Sequence, residues 1–131
     1  VVTFWTPRCA SCVAGLPALI QTYRMYRRRD FNFVTVAATG PAEKAGVMQT
    51  LESLHLSSRN LQLASDDIPG MQVAFDSRWE PGAPFTMAIA PGGRVIYRQE
   101  GVLDILALRR AVQANLENNT YVGHPAYWVT R

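Results

Sequence analysis

Residues 5–12 read WTPRCASC and hold the only two cysteines of the chain, Cys9 and Cys12. The apolar run VVTFW at residues 1–5 is typical of a strand, and residues 13–29 follow the pair with helical periodicity. We therefore predict the pair at a strand-to-helix turn. A thiol at a helix start faces unpaired backbone N–H groups and the positive end of the helix dipole, which favour the thiolate. The stretch thus predicts reactive cysteines.

The bulk composition is that of one globular domain. The chain has 131 residues, of which 48% are hydrophobic, enough for one substantial core. We place a domain at residues 1–117 and a tail at residues 118–131. Because the chain starts inside a strand and without Met, we expect a missing N-terminal part, and any targeting signal or membrane anchor would lie there.

The net charge is +3, and a large part of the positive charge comes from arginines near the end of the first predicted helix, at Arg24 and residues 27–29. Cations suit a helix C-terminus, and no aromatic residues interleave with these as in a nucleic-acid surface. We expect a solvated helix end and no nucleic-acid partner.

The remaining elements alternate between strands and helices. The apolar run at residues 33–38 predicts a strand parallel to the first, because a right-handed helical crossover joins them. Further elements are predicted in this order: a helix over residues 41–54, an edge strand over 61–64, a short helix capped by Asp66 or Asp67, a turn-rich loop over 80–84, an antiparallel hairpin over 85–98, and a last helix ended by Asn118 and Asn119.

This order resembles the thioredoxin-like fold over nearly the whole chain. More narrowly, residues 4–12 followed by LPAL at residues 16–19 resemble the TlpA/ResA-like thiol-disulfide oxidoreductases, and so does GAPFT at residues 82–86. The resemblance implies an α/β fold with a central mixed β-sheet flanked by helices. It also implies an inserted helix and strand between the second βα unit and a cis-proline loop at Ala83-Pro84.

The resemblance implies a function in thiol-disulfide exchange with protein substrates. Cys9 would be the attacking thiolate and Cys12 the resolving thiol, and neither a metal nor an organic cofactor would be needed. Ala83 and Pro84 would bind an extended substrate segment, with Trp5 and Arg8 as further substrate contacts. We expect a monomeric, extracytoplasmic reductant that works with protein thiols and an upstream redox partner.

Three positions depart from the family pattern. Arg8 stands where an aromatic residue is usual, and its guanidinium would favour the Cys9 thiolate only if it points at the sulfur. Thr3 and Gly15 stand where relatives of the fold carry an acid that accepts the proton of the resolving thiol. Glu80 is the candidate substitute for that proton acceptor.

Three alternatives remain open for the cysteine pair. The first is a structural disulfide or a zinc half-site. Zinc would need further ligands, and His55 and His124 are distant candidates. A peroxiredoxin-like peroxidase is suggested by Thr6, three residues before Cys9, although its expected upstream proline is replaced by Val2. A thioredoxin-like domain that binds or chaperones proteins without efficient catalysis would also fit the missing acids.

Overall fold

A computed structural model describes residues 1–26, 31–75, 78 and 83–123 of the chain. The elements in these residues are, in chain order, β1 (Val2–Trp5), α1 (Ala10–Tyr26), β2 (Val34–Ala37), a 3-10 turn (Pro41–Glu43), α2 (Lys44–Ser53), β3 (Arg59–Gln62), α3 (Ile68–Phe75), β4 (Phe85–Ile89), β5 (Val95–Glu100) and α4 (Ile105–Gly123).

The strands form one mixed sheet in the order β3-β2-β1-β4-β5. β1 pairs parallel with β2, and β2 pairs parallel with β3, whereas β4 runs antiparallel to both β1 and β5. This confirms the predicted mixed sheet, the parallel crossover and the hairpin. Strand β1 is central, and three of its four residues are buried, as expected for a strand that is covered on both faces.

Each face of the sheet has its own apolar layer. One cluster includes Trp5, Cys12 and Leu108 and lies under α1 and α4. The other includes Phe4, Phe85 and Met71 and lies under α3. Successive residues of β1 therefore pack in opposite layers, because successive side chains of a strand point to opposite faces of the sheet.

The inserted elements also follow the prediction. α2, β3 and α3 all lie between β2 and β4, and β3 is an edge strand that starts two residues earlier than predicted. α3 begins after Asp67, whose Oδ1 accepts a hydrogen bond of 3.0 Å from the N–H of Gly70. This is the predicted side-chain cap of a short helix.

The predicted end of the last helix is wrong. We expected Asn118 and Asn119 to stop it, but α4 continues through both to Gly123. Asparagine inside a helix costs at most about 0.7 kcal/mol relative to alanine, which is too little to stop a helix already anchored by its buried face. The side chains of the tail aromatics Tyr121, Tyr127 and Trp128 lie outside those that the structure describes.

No helix in the described part of the chain is both long and apolar enough to cross a membrane.

Candidate active site

The two cysteines form a disulfide at the start of α1. Their sulfurs are 2.07 Å apart and their Cα atoms 5.2 Å apart. Cys9 precedes the first residue of α1, and its Sγ accepts a hydrogen bond of 3.1 Å from the backbone N–H of Cys12. The sulfur thus takes the place of the oxygen in an ordinary helix cap and satisfies one of the unpaired N–H groups.

The two sulfurs differ in their access to solvent. Cys9 is partly exposed, and its Sγ lies 3.6 Å from the hydroxyl of exposed Ser11. Cys12 is only 6% exposed and belongs to the core cluster under α1. An attacking reagent therefore reaches Cys9 more readily than Cys12, and the N–H of Cys12 is placed to stabilise a thiolate on Cys9.

The Arg8 side chain is 85% exposed and pairs with a residue of the inserted segment. Its guanidinium forms an ion pair of 2.7 Å with Glu43, at the end of the 3-10 turn that leads into α2. Close by, a Cβ added to Gly46 of α2 would lie 3.7 Å from the side chain of Pro7. The inserted segment therefore lies against the turn that carries the cysteines and is joined to it by the Arg8–Glu43 ion pair, which the sequence did not predict.

We expect Arg8→Ala to lower the free energy of unfolding by less than about 1 kcal/mol, because the arginine side chain is 85% exposed and water screens the pair. Urea titration at low and high salt measures this loss, which salt should reduce further. Glu43→Gln should cost the same, and the double variant should cost no more than either one. If the stability loss of the double variant equalled the sum of the two single losses, the ion pair would not be the interaction that the substitutions remove.

Trp5 is a core residue rather than a substrate contact. It is 1% exposed and packs in the cluster that contains Cys12. Its indole Nε1 finds no acceptor among the described residues. The predicted role in substrate binding is not supported, since the last residue of a central strand lies beneath α1 and offers a substrate no surface.

Pro84 lies beside the disulfide, although 72 residues separate it from Cys12 in sequence. Both residues line one small cavity, and the carbonyl of Pro84 accepts a hydrogen bond of 2.8 Å from the N–H of Gly101. The described residues, which include Ala83 and Pro84, contain no cis peptide bond, so the implied cis bond is not observed. The trans isomer is the default for an X-Pro bond, by about 0.5–1 kcal/mol.

The two positions at which relatives of the fold carry an acid lie at one cavity of this structure. Thr3 and Gly15 line the cavity that Cys12 and Pro84 also line. A Cβ added at Gly15 would meet only the side chain of Leu103, at 4.0 Å. Glu80, the suggested substitute acceptor, lies outside the described residues.

The sequence missed Thr86, which also lines this cavity. Its hydroxyl oxygen lies 3.0 Å from that of Thr3, and both residues are buried. The available signal was a polar β-branched residue in the middle of an apolar strand, FTMAI, but its partner could be identified only from the pairing of β1 with β4.

The sequence matches no protein-family model and no curated protein. Solved structures do match. The thioredoxin domain of a thiol-disulfide oxidoreductase from Bacteroides vulgatus has a TM-score of 0.72 at 19% identity, over 88% of this chain and 76% of that one. A thiol:disulfide interchange protein of the thioredoxin family from Chlorobium tepidum has a TM-score of 0.69 at 20% identity, over 88% and 77%.

A third similar structure is a secreted disulfide oxidoreductase from Mycobacterium tuberculosis, with a TM-score of 0.66 at 21% identity over 86% of this chain and 78% of that one. At such identities the similarity establishes the fold, which is thioredoxin-like as predicted. The structures that share it are thioredoxin-like thiol-disulfide oxidoreductases, in agreement with the resemblance found in the sequence.

Proposed function

We propose that this chain is a TlpA/ResA-like oxidoreductase that exchanges disulfides with protein substrates through Cys9 and Cys12. The observation that carries the proposal is the asymmetric disulfide at the start of α1. Its outer sulfur is partly exposed and capped by a backbone N–H, and its inner sulfur is shielded. This is the arrangement in which one sulfur attacks and the other resolves.

In the reducing direction, the Cys9 thiolate attacks a substrate disulfide and forms a mixed disulfide, releasing the first substrate thiolate. Cys12 then attacks the Sγ of Cys9, which forms the intramolecular disulfide and releases the second substrate thiolate. Two electrons pass from the protein dithiol to the substrate disulfide. Pro84 lines the same small cavity as Cys12, and the segment at Ala83 and Pro84 is our candidate surface for the substrate backbone beside the sulfurs.

We further propose that the protein acts as a reductant outside the cytoplasm. Extracytoplasmic compartments are oxidising, and one of the similar structures is of a secreted protein. Ala10 and Ser11 place no charge between the cysteines, whereas a strongly oxidising pair needs extra stabilisation of its reduced thiolate form. Equilibration of Cys9 and Cys12 with glutathione buffers measures the potential, and a value near that of strong oxidants would reverse the assigned direction.

Reduction of insulin by dithiothreitol tests the exchange activity. The protein should accelerate precipitation of the insulin B chain. Cys9→Ser should reduce the rate to that of dithiothreitol alone, because a serine hydroxyl supplies no nucleophilic thiolate at neutral pH. The exposed Ser53→Ala variant, on α2, serves as the control and should retain the full rate.

An unchanged rate in Cys9→Ser, or no acceleration by the unaltered protein, would contradict the proposal. Consumption of peroxide that depends on Cys9, without insulin turnover, would instead favour a peroxidase.

A further inference from the structure

A row of polar side chains crosses the sheet on the face that α1 covers. Thr3 in β1 lies directly opposite Thr35 in β2 and Thr86 in β4. Directly paired residues project from the same face of a sheet. All three threonines are buried, at 5%, 0% and 4% exposure, where a sheet of this kind usually carries valine or isoleucine. A buried hydroxyl is costly unless it is hydrogen-bonded, so this row requires an explanation.

Thr35 is hydrogen-bonded to a residue outside the row, whereas Thr3 and Thr86 are hydrogen-bonded to each other. The hydroxyl of Thr35 donates to Oδ1 of Asn60 at 2.7 Å, on the neighbouring edge strand. The hydroxyls of Thr3 and Thr86 lie 3.0 Å apart, and either can be the donor. A backbone carbonyl, that of Phe85, lies 3.5 Å from Oγ1 of Thr3.

This hydroxyl pair can present either a donor or an acceptor to its surroundings. If Thr3 donates to the Phe85 carbonyl, Thr86 donates to Thr3, and the pair offers lone pairs. If Thr3 donates to Thr86, the proton of the Thr86 hydroxyl is free to point elsewhere. No charge has to be buried in either arrangement, which avoids the desolvation cost that a carboxylate would meet here.

The pair lines a cavity of about 10 Å³ that Cys12 also lines. This is close to the smallest space that holds one water molecule, and such a water needs two or more polar partners. None of the described lining residues carries a charge. The exposed Ser11 is also part of the lining, so the cavity reaches the surface beside the disulfide.

We propose that the Thr3 and Thr86 hydroxyls hold one water molecule against Cys12, and that this water takes the Cys12 proton when Cys12 resolves the mixed disulfide. The inference rests on the proposed function. The S–H bond of Cys12 breaks and its proton passes through the water to solvent past Ser11. The resulting thiolate bonds to Sγ of Cys9, and the substrate sulfur leaves with the electron pair of the mixed disulfide.

The two threonines are thus positioning residues for the second chemical step only. Cys9 attacks from the partly exposed side of the helix start. Its Sγ accepts a hydrogen bond from the N–H of Cys12 and lies near Ser11. Neither Thr3 nor Thr86 is among these contacts. Removing their hydroxyls should therefore leave the attack by Cys9 unchanged.

Stopped-flow mixing of the reduced protein with 5,5′-dithiobis(2-nitrobenzoate) separates the two steps. Attack by Cys9 releases the first thionitrobenzoate at a rate proportional to reagent concentration. Resolution by Cys12 releases the second at a rate independent of it. We expect Thr3→Val and Thr86→Val each to slow the second release by about tenfold, the effect of losing a hydrogen bond or two, and to leave the first unchanged.

Two control variants separate a positioning role from a structural one. Thr35→Val makes the same substitution in the same row, outside the cavity lining, and should change neither release. Thr3→Ser keeps the hydroxyl while removing a methyl group, so it should resolve at nearly the unaltered rate even if it is less stable.

A second release within twofold of the unaltered rate in both valine variants would overturn the inference, as would equal slowing in Thr3→Ser. The proposed function would survive either result, because insulin turnover and the first release are measured separately. Conversely, a protein that does not reduce insulin but shows slow resolution only in the valine variants would contradict the proposed function and support this inference.

Discussion

Replacing Cys12 with serine should convert the protein into a trap for its substrates. Cys9 keeps its cap from the backbone N–H of residue 12, which does not depend on the side chain there. It can still attack a disulfide, but no second sulfur can displace the substrate. Turnover should fall to the level of Cys9→Ser, while a covalent complex that Cys9→Ser cannot form accumulates.

Non-reducing gel electrophoresis with mass spectrometry measures the complex. The two serine variants act as controls for each other's stability, since both open the same disulfide. The two cysteines are 3 residues apart in sequence. A disulfide that closes so short a loop adds only about 2 kcal/mol to the free energy of unfolding through chain entropy. A Cys12→Ser protein that turns insulin over at the full rate would contradict the resolving role of Cys12. An adduct on Cys9→Ser would reverse the assigned roles.

Replacing Phe85 with alanine should destabilise the fold more than any change at the protein surface. Phe85 is fully buried, and its ring stacks on that of Phe4 with centroids 5.6 Å apart. The guanidinium of Arg98 lies 5.0 Å from the ring centroid. Removing the ring leaves a cavity and ends both contacts, so we expect a loss of about 3–5 kcal/mol in the free energy of unfolding.

Urea unfolding followed by circular dichroism measures that loss. Val102→Ala is the control, because Val102 is 76% exposed and should change stability by less than about 0.5 kcal/mol. If the alanine variant proves unfolded, Phe85→Leu, which retains most of the apolar volume, should fold with a smaller loss. A loss below about 1 kcal/mol for Phe85→Ala would mean that the layer beneath α3 is not a packed core.

Local patterns predicted most of the fold because each element carries its own signal. The signals of the early elements depend on residues close together in the chain. They are the apolar runs at residues 1–5 and 33–38 and the hairpin turn between β4 and β5. Helix boundaries were less predictable. Asn118 and Asn119 are weak stop signals, and the buried face of α4, which includes Leu108 and Val112, outweighs them.

The candidate site was predicted only in part, because local patterns identify only those site residues that lie in one short motif. Cys9 and Cys12 were found because both lie in one short motif, and Pro84 because its loop resembles that of a known family. Thr86 was missed because its relation to Thr3 depends on the register of two strands more than eighty residues apart. The contact of Arg8 with Glu43 was missed because it depends on where the inserted turn packs.

The sequence alone determined that two cysteines stand at a helix start after a strand, because an apolar run precedes them and apolar residues at helical spacing follow them. Tertiary structure decided what surrounds them. It buried Cys12 and Trp5, turned Arg8 toward Glu43, and placed the Thr3 and Thr86 hydroxyls in one cavity with Cys12. Strand pairing and helix docking bring distant residues together through packing of the whole core, and no local pattern encodes those distances.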